Sequence, residues 1–351
     1  YMITAHVLLV ALGYAGSEGI VVGREVWELV TTYPWMLPAF AGFILLIMAG
    51  VTSYKSVRNQ ITYETWWVIH LYTYLGVALA FMHQILTGGM FIGHPLNRAY
   101  WIGLYIAVVI AIVTWRIAIP VIRSFKHRLR LSKIQVEGPG VVSLYISGIK
   151  LTELNAQGGQ FFNWRFLTKD KWHESHPFSL SAAPTDTELR FTVNALGDSS
   201  RQSAAIPLGT RVGIEGPYGS FTRDMARQFK HVTLIGGGVG ITPLRAIIDE
   251  IPETTSIDVL FRARSEVDLV LKQELDELSQ SRHINVHYLV GSRSEYPINE
   301  TTIKKYAPRF ADSDVYVCGP TPLVKAVHEA AVACGRPKDR IHDEAFEFHN
   351  V

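Results

Sequence analysis

Cysteine is nearly missing: the 351 residues contain only Cys318 and Cys334. Both fall in the part read below as cytoplasmic, so no disulfide is expected. A strong charge of either sign is also missing. The net charge of +2 leaves no electrostatic footprint for nucleic acid. The chain begins at Tyr1 without the pattern of a secretory signal peptide. The most informative scarcity is local. Residues 1–122 hold only nine charged side chains, and the other 229 hold 55 of the 64. One third of the chain suits lipid and two thirds suit water.

What fills the first third is apolar. Pro38 to Tyr54, Trp66 to Leu86 and Tyr100 to Ile119 are long runs near the roughly 20 residues that a membrane span needs. Trp66, Trp67, Tyr100 and Trp101 sit at their ends, where amphipathic rings favour the interface. A fourth run, Met2 to Ala15, is too short to span and reads as the back half of a helix that starts upstream of Tyr1. A short interfacial helix is the alternative. Lys55 and Arg58 follow the Pro38 run, and Arg123, Lys126, His127, Arg128 and Arg130 follow the Tyr100 run. The loops 17–36 and 87–98 are poorer in Lys and Arg. The positive-inside rule therefore puts 55–64, and everything after 120, in the cytoplasm.

The Trp66 run carries His70 and His83. A buried imidazole needs partners, because an unpaired polar group in hydrocarbon costs several kcal/mol. Thirteen residues correspond to a rise of about 20 Å, too far for one metal ion. The separation suits two stacked haems, each taking one imidazole from this helix and one from a neighbour. His6 supplies one such neighbour. The plainer alternative is that each ring donates to a nearby carbonyl. Thirteen residues also leave the rings about 140° out of phase on an ideal helix. Either the helix is over-wound, near Gly76, or two haems meet it from different sides.

The water-soluble part changes period. Residues 131–225 read as short strands with turn signals, among them LSKIQVEG, VVSLYISG, QFFNWRFL, LRFTVNA and RVGIEG, which suggests a small antiparallel β-barrel. Residues 230–343 alternate strand and helix and predict a doubly wound parallel α/β sheet. LIGGGVGITP follows the first strand and opens the first helix. Glycines there let backbone approach a pyrophosphate, and the helix N-terminus favours its charge.

In order, these motifs resemble the ferric reductase and NADPH oxidase family, in which a haem-bearing membrane domain is fused to a ferredoxin-NADP reductase-like module. HPFSLSAAP resembles its flavin-binding strand, NALGDSS its pyrophosphate-facing loop, and GPYGSF the end of its barrel. GGGVGITP and VYVCGP resemble its two nicotinamide-nucleotide motifs, and EAF its terminal Glu-x-aromatic. The resemblance implies a transmembrane α-helical haem bundle over 1–122, an FAD-binding β-barrel over 123–228 and a doubly wound NAD(P)-binding domain over 229–351. His176, Pro177, Phe178, Ser179 and Ser181 would contact the flavin. Phe178 offers a flat ring, and Ser179 and Ser181 offer hydroxyls on one strand face. Asn194, Gly197, Ser199 and Ser200 would face the FAD pyrophosphate. Gly236, Gly237, Gly238, Gly240 and Thr242, with Cys318, Gly319 and Pro320, would hold the nucleotide. Ser179, Cys318, Glu344 and Phe346 would surround the hydride transfer, with Phe346 stacked on the flavin.

Ser292 and Arg293 follow the INVHYLV strand, where NADP-dependent relatives place Ser-Arg, and Arg262 and Arg264 follow the strand before it. A guanidinium fork suits a 2′-phosphate, so NADPH is expected ahead of NADH. A solvated basic loop is the alternative. The family further implies two b-type haems. His6 and His83 would hold the outer one, and His70 the inner one with a histidine upstream of Tyr1. Arg116 would pair with a haem propionate or be an ordinary interfacial arginine. The expected activity is electron transfer from cytoplasmic NADPH, through FAD and two haems, to an acceptor outside a multi-pass plasma membrane protein. Ferric chelates and oxygen both fit. In the oxidase branch a histidine lies one turn past the outer ligand; here that position is Val10, which favours ferric chelates. His94 faces outside and is a candidate contact for a metal acceptor, with an ordinary solvated loop histidine as the alternative. A membrane subunit that donates electrons to a separate extracytoplasmic protein is the other class considered.

Overall fold

The computed structural model describes residues 1–58, 60–61, 63–170, 172, 174–194, 206–226, 230–335 and 340–346. The chain divides into two compact units, Tyr1–Ile112 and Val113–Val351.

The first unit is helical. Helix α1 (Met2–Glu18) ends at Gly19, which takes the left-handed conformation that a glycine cap permits. Helix α2 (Val22–Thr32) follows at a bend of 105°. It lies within the expected loop 17–36. Its charged face keeps it from reading as an apolar run. Helix α3 (Met36–Thr52) matches the first long run, and α4 (Lys55–Arg58) is a single turn after it. The His-bearing run forms α5 (Tyr63–Leu79) and α6 (Phe81–Thr87), with Ala80 as a turn between them. The departure from an ideal helix is thus at Ala80, not at Gly76. Gly76 has a different role: a Cβ there would meet the Gly42 carbonyl at 2.9 Å, and one on Gly42 would meet the Gly76 carbonyl at 2.5 Å. Backbones of α3 and α5 touch at this crossing, as small residues allow in membrane helix pairs. The last long helix covers Pro95–His127 and is apolar enough to cross a membrane, as is Thr65–Thr87. Its turn at Thr114–Ala118 is a π-helix.

The second unit begins with two three-stranded antiparallel sheets. Strands β1 (Arg130–Gly138), β2 (Val141–Ser147) and β5 (Glu188–Asn194) form one. Strands β4 (His176–Ser179), β3 (Phe161–Phe166) and β6 (Val212–Tyr218) form the other. Single bridges, Arg130 to Arg211 and Leu180 to Phe191, join them. Strand β3 alternates strictly, so Phe162, Trp164 and Phe166 point inward. They pack with Leu131, Leu144, Ile146 and Phe191 in one apolar core. The rest is a five-stranded parallel sheet in the order β11–β10–β7–β8–β9, made of β7 (His231–Gly237), β8 (Ser256–Ala263), β9 (Ile284–Val290), β10 (Asp314–Pro320) and β11 (Ile341–Phe346). The expected doubly wound order is present. Buried clusters cover both faces, which explains why β7 and β10 are almost continuously apolar. The order reverses between β7 and β10, and such a switch point opens a crevice at the strand ends.

Candidate functional site

A cleft of about 1030 Å³ lies at that crevice. Gly237 and Gly238 enter it from the end of β7, and Arg262 and Arg264 from the end of β8. Gly291, Ser292 and Arg293 enter from beyond β9, and Pro320 from β10. Asn194, at the end of β5, lines it as well. The cleft thus gathers most of the residues expected to hold a nucleotide, from five separate strands.

Local geometry explains the glycines. Gly238 has φ +56°, which a β-branched residue would resist. A Cβ on Gly240 would meet the Cys318 carbonyl at 2.3 Å, so only glycine lets the helix Ile241–Glu250 start against the end of β10. Gly236 registers with Cys318. The Thr242 hydroxyl donates to the Val239 carbonyl at 2.9 Å, so it braces this turn.

The charges in the cleft are unbalanced. Arg262 Nε is buried and has no hydrogen-bond partner. Burial, and then the Arg293 charge, push the Arg262 guanidinium below its ordinary range. Two facing guanidiniums of this kind are a site for an anion. Among the described residues, Asn194 Oδ1 is also buried without a partner. A phosphorylated nucleotide therefore fits the residues present: unpaired cations, orphaned polar atoms and a backbone that comes close.

Cys318 is fully buried and registers with both Gly236 and Glu344. Burial, with a smaller contribution from the Glu344 charge, pushes its thiol well up. Burial also pushes the Glu344 carboxyl up to about 7, and Glu344 Oε2 has no hydrogen-bond partner. Phe346 ends β11 opposite Pro320; its ring lies outside the described atoms.

The flavin strand is more mixed. Ser179 ends β4 opposite Phe161, whose ring lies 5.6 Å from Tyr218. His176 Nε2 stands 3.6 Å from Glu174, and exposed Pro177 registers with Asn163. The Phe178 ring stacks on Phe191 at 5.3 Å, and its backbone carbonyl accepts from Trp164 Nε1. Ser181 departs from the expectation. The strand has ended before it, and the side chain turns inward and is fully buried. Its hydroxyl accepts from Arg190 Nε at 3.1 Å and Thr192 Oγ1 at 2.9 Å. Ser179 and Ser181 therefore do not share one exposed strand face. Gly197, Ser199 and Ser200 lie outside the described residues.

Sequence reasoning missed the pair that holds the two halves of this unit together. Buried Arg190, on β5, forks onto Glu274 of the helix Lys272–Ser281, with Nη2 donating to Oε2 at 2.9 Å. Arg245 Nε reaches the same carboxylate at 3.0 Å. Burial alone would raise Glu274, but the bonds and charges of the two arginines hold it below the usual carboxylate range. The contact spans 84 positions and carries no local motif. Pro139 and Val141, from the β1–β2 hairpin, also line the cleft without a sequence signal.

The membrane unit brings two of its three candidate histidines together. His6 lies within electrostatic reach of His83. His83 Nδ1 is closed to solvent, and the Ala80 backbone lies within bonding reach of the ring, where it could orient an imidazole whose other nitrogen is a ligand. His70 differs. Its Nδ1 donates to the Trp66 carbonyl at 3.1 Å, and its Nε2 lies 2.9 Å from Ser53 Oγ. The plainer alternative describes this ring as it stands. Arg116 pairs with Glu215 Oε1 at 2.9 Å, so its carboxylate partner lies on β6.

Comparison with known proteins follows the same division. Residues 1–81 match the model of the ferric reductase like transmembrane component. Residues 126–222 match an FAD-binding domain, and 234–329 an oxidoreductase NAD-binding domain. NADH-cytochrome b5 reductase 1 of Pyricularia oryzae is 25% identical over 240 residues, covering 63% of this chain and 76% of that one. The enzyme of the same name from Mortierella alpina is 31% identical over 170 residues, covering 43% and 56%. The chain thus spans little more than half of that relative. Among solved structures, the FAD/NAD-binding domain of a nitric oxide dioxygenase from Vibrio cholerae aligns with TM-score 0.54 and 23% identity. That alignment covers 62% of this chain and 97% of that one. The cytochrome b5 reductase domain of Ulva prolifera nitrate reductase gives 0.53 and 19%, over 62% and 96%. Both likenesses show the fold of the second unit.

The class is therefore an NAD(P)H-linked oxidoreductase whose FAD- and NAD-binding module follows apolar helices of membrane length in the same chain. The three matches, in this order, are those of a ferric reductase-like component followed by an FAD- and NAD-binding module.

Proposed function

We propose that this protein carries electrons from cytoplasmic NADPH across the plasma membrane to an extracytoplasmic acceptor, with ferric chelates as the acceptor of choice. One observation carries the reading. His83 holds an imidazole with a solvent-closed Nδ1 inside a helix of membrane length, within electrostatic reach of His6 and on the same chain as a reductase module. Intramembrane ionisable groups of this kind are functional by default.

In this reading Arg262 and Arg293 bind the 2′-phosphate, and the turn Gly238–Gly240 admits the pyrophosphate. Cys318, buried in β10 behind the cleft-lining Pro320, keeps an inert, protonated thiol. Glu344, with its carboxyl poised near neutrality, holds or releases a proton beside the transferred hydride. Ser179 orients the flavin ring. His6 and His83 serve the outer haem and His70 the inner one. For His70 this requires release from Ser53 and Trp66. When bound, FAD takes two electrons as hydride and the haems move them singly. The chain itself supplies order, insulation and the choice of nucleotide.

The names of the relatives favour a second reading, in which the chain donates electrons to a separate haem protein and takes NADH. Oxygen as acceptor is the third. Membranes holding the protein decide among them. NADPH oxidation should rise with ferric citrate, exceed NADH oxidation and yield little superoxide. Activity that needs an added soluble haem protein would favour the second reading. Superoxide in proportion to NADPH consumed would favour the third.

A further inference from the structure

The elbow between α1 and α2 carries chemistry that an electron relay does not use. Glu18 ends α1, while Glu25 and Glu28 lie on one face of α2. One carboxylate oxygen from each lies within 4.8 Å of the other two. Acidic clusters on surfaces are commonplace, but this one is not all surface. Glu25 is the single residue that α2 buries, at 3% exposure, although Val26 and Leu29 lie on the same helix. Its Oε2 is closed to solvent and has no hydrogen-bond partner. A carboxylate buried against two others is costly unless a cation joins them or a proton neutralises it. Arg24 is the only basic residue between Gly19 and Tyr54, and it donates to Glu28 from an exposed position at 2.9 Å. Glu25 receives nothing comparable.

We propose that Glu18, Glu25 and Glu28 form a binding site for one hard cation, with Ca²⁺ preferred. The donor set is all carboxylate oxygen, which suits Ca²⁺, Mg²⁺ or Mn²⁺ and not a soft metal such as Cu⁺. Dehydration separates the candidates. Ca²⁺ accepts a flexible site made of protein oxygens, whereas Mg²⁺ gives up its waters reluctantly. Three carboxylate oxygens within 4.8 Å of one another therefore favour Ca²⁺. The ion would pin the end of α1 to α2 across the 105° bend and cancel the repulsion of three carboxylates. Glu18 lies twelve residues beyond His6 on the same helix, about 18 Å along its axis. The site is therefore separate from the histidine pair. It holds whether or not the electron-transfer reading does, because its readout is binding.

The test is calorimetric titration of the detergent-solubilised full chain with CaCl₂ and with MgCl₂, after removal of ions by chelator. One Ca²⁺ should bind per chain, with Mg²⁺ at least about tenfold weaker. Glu25→Gln keeps the shape and removes the charge, so Ca²⁺ affinity should fall at least about tenfold. NADPH oxidation with a soluble dye should not change. Glu18→Gln, at an exposed helix end, gives the same test without disturbing a buried position. Ca²⁺ should raise the Tm of the unaltered protein and leave that of both variants unmoved. Absence of saturable uptake up to about 10 mM, beyond the weakest extracellular calcium modules, would overturn the proposal. So would equal affinity in both variants, and tighter Mg²⁺ would overturn the preference for Ca²⁺.

Discussion

Arg293→Ala separates a phosphate contact from a loop prop. The turn after β9 is held without Arg293. Glu295 Oε2 accepts from the Ser292 backbone N–H at 2.6 Å, and Ser292 Oγ accepts from the Glu295 N–H at 3.2 Å. The bond from that backbone N–H, followed by the one from the Ser292 hydroxyl, holds the Glu295 carboxyl below its ordinary range. Arg293 instead faces Arg262, whose guanidinium burial and the Arg293 charge both oppose. A charge-assisted contact to a 2′-phosphate contributes about 1.5–3 kcal/mol. At 1.4 kcal/mol per decade, its loss should raise the NADPH KM by roughly ten- to a hundredfold. The NADH KM should hardly move, since NADH has no such phosphate. The effect should fall on KM and leave kcat alone, because the contact is remote from the hydride. Removing one of two facing cations also relieves repulsion, so the apo Tm should hold or rise. Arg293→Lys keeps charge without the fork and should recover part of the preference. Steady-state kinetics with both nucleotides checks this, and equal weakening of NADH and NADPH, with a lower Tm, would refute it.

Three further outcomes are expected. The Glu344 carboxyl is raised from 4.5 to about 7, so its contribution to stability is complete below pH 4.5 and is lost as pH rises from there through about 7. The difference is about 3 kcal/mol at 1.36 kcal/mol per unit; thermal melts at pH 5 and pH 8 should therefore show a steeper fall for the native chain than for Glu344→Gln, and parallel falls would reject the burial argument. Arg190→Ala leaves Glu274 half-buried beside Arg245 alone and should cost about 3–5 kcal/mol, read as a lower melting midpoint of the flavin-bound protein. A cost of under about 1 kcal/mol would place the pair with ordinary surface bridges. His83→Ala should lower the haem content of the full-length protein by one per chain, by pyridine haemochrome assay, and unchanged content would remove His83 from the ligand set.

The nucleotide half of the site was legible because its chemistry is local. Glycines after one strand and arginines after the next two are fixed by strand ends, and a parallel sheet brings all its strand ends to one edge. What stayed hidden needed information from far along the chain or from the end of an element. Ser181 looks like the next outward residue after Ser179 only if the strand continues; it stops, and the hydroxyl joins Arg190. Nothing near Arg190 in sequence announces Glu274. Helix α2 was hidden by its own polarity, since a search for apolar runs passes over a helix whose one buried residue is a glutamate.

The histidine helix shows how a partial signal behaves. A spacing of thirteen residues, about 140° off phase, was a reason to doubt a straight helix. The position of the fault could not be read, because alanine is the best helix former and Ala80 carries no breaker signal. The turn at Ala80 comes just three residues before His83, within a run, Thr65–Thr87, that remains one helix of membrane length. It also comes after the close Gly42–Gly76 crossing, which ties α5 to α3 upstream of the break. His70 therefore belongs to a segment braced against α3, with Ser53 at its ring, while His83 lies past the turn and within electrostatic reach of His6. In the proposed reading, with two haems held from different sides of one run, the two histidines fall on either side of this single turn.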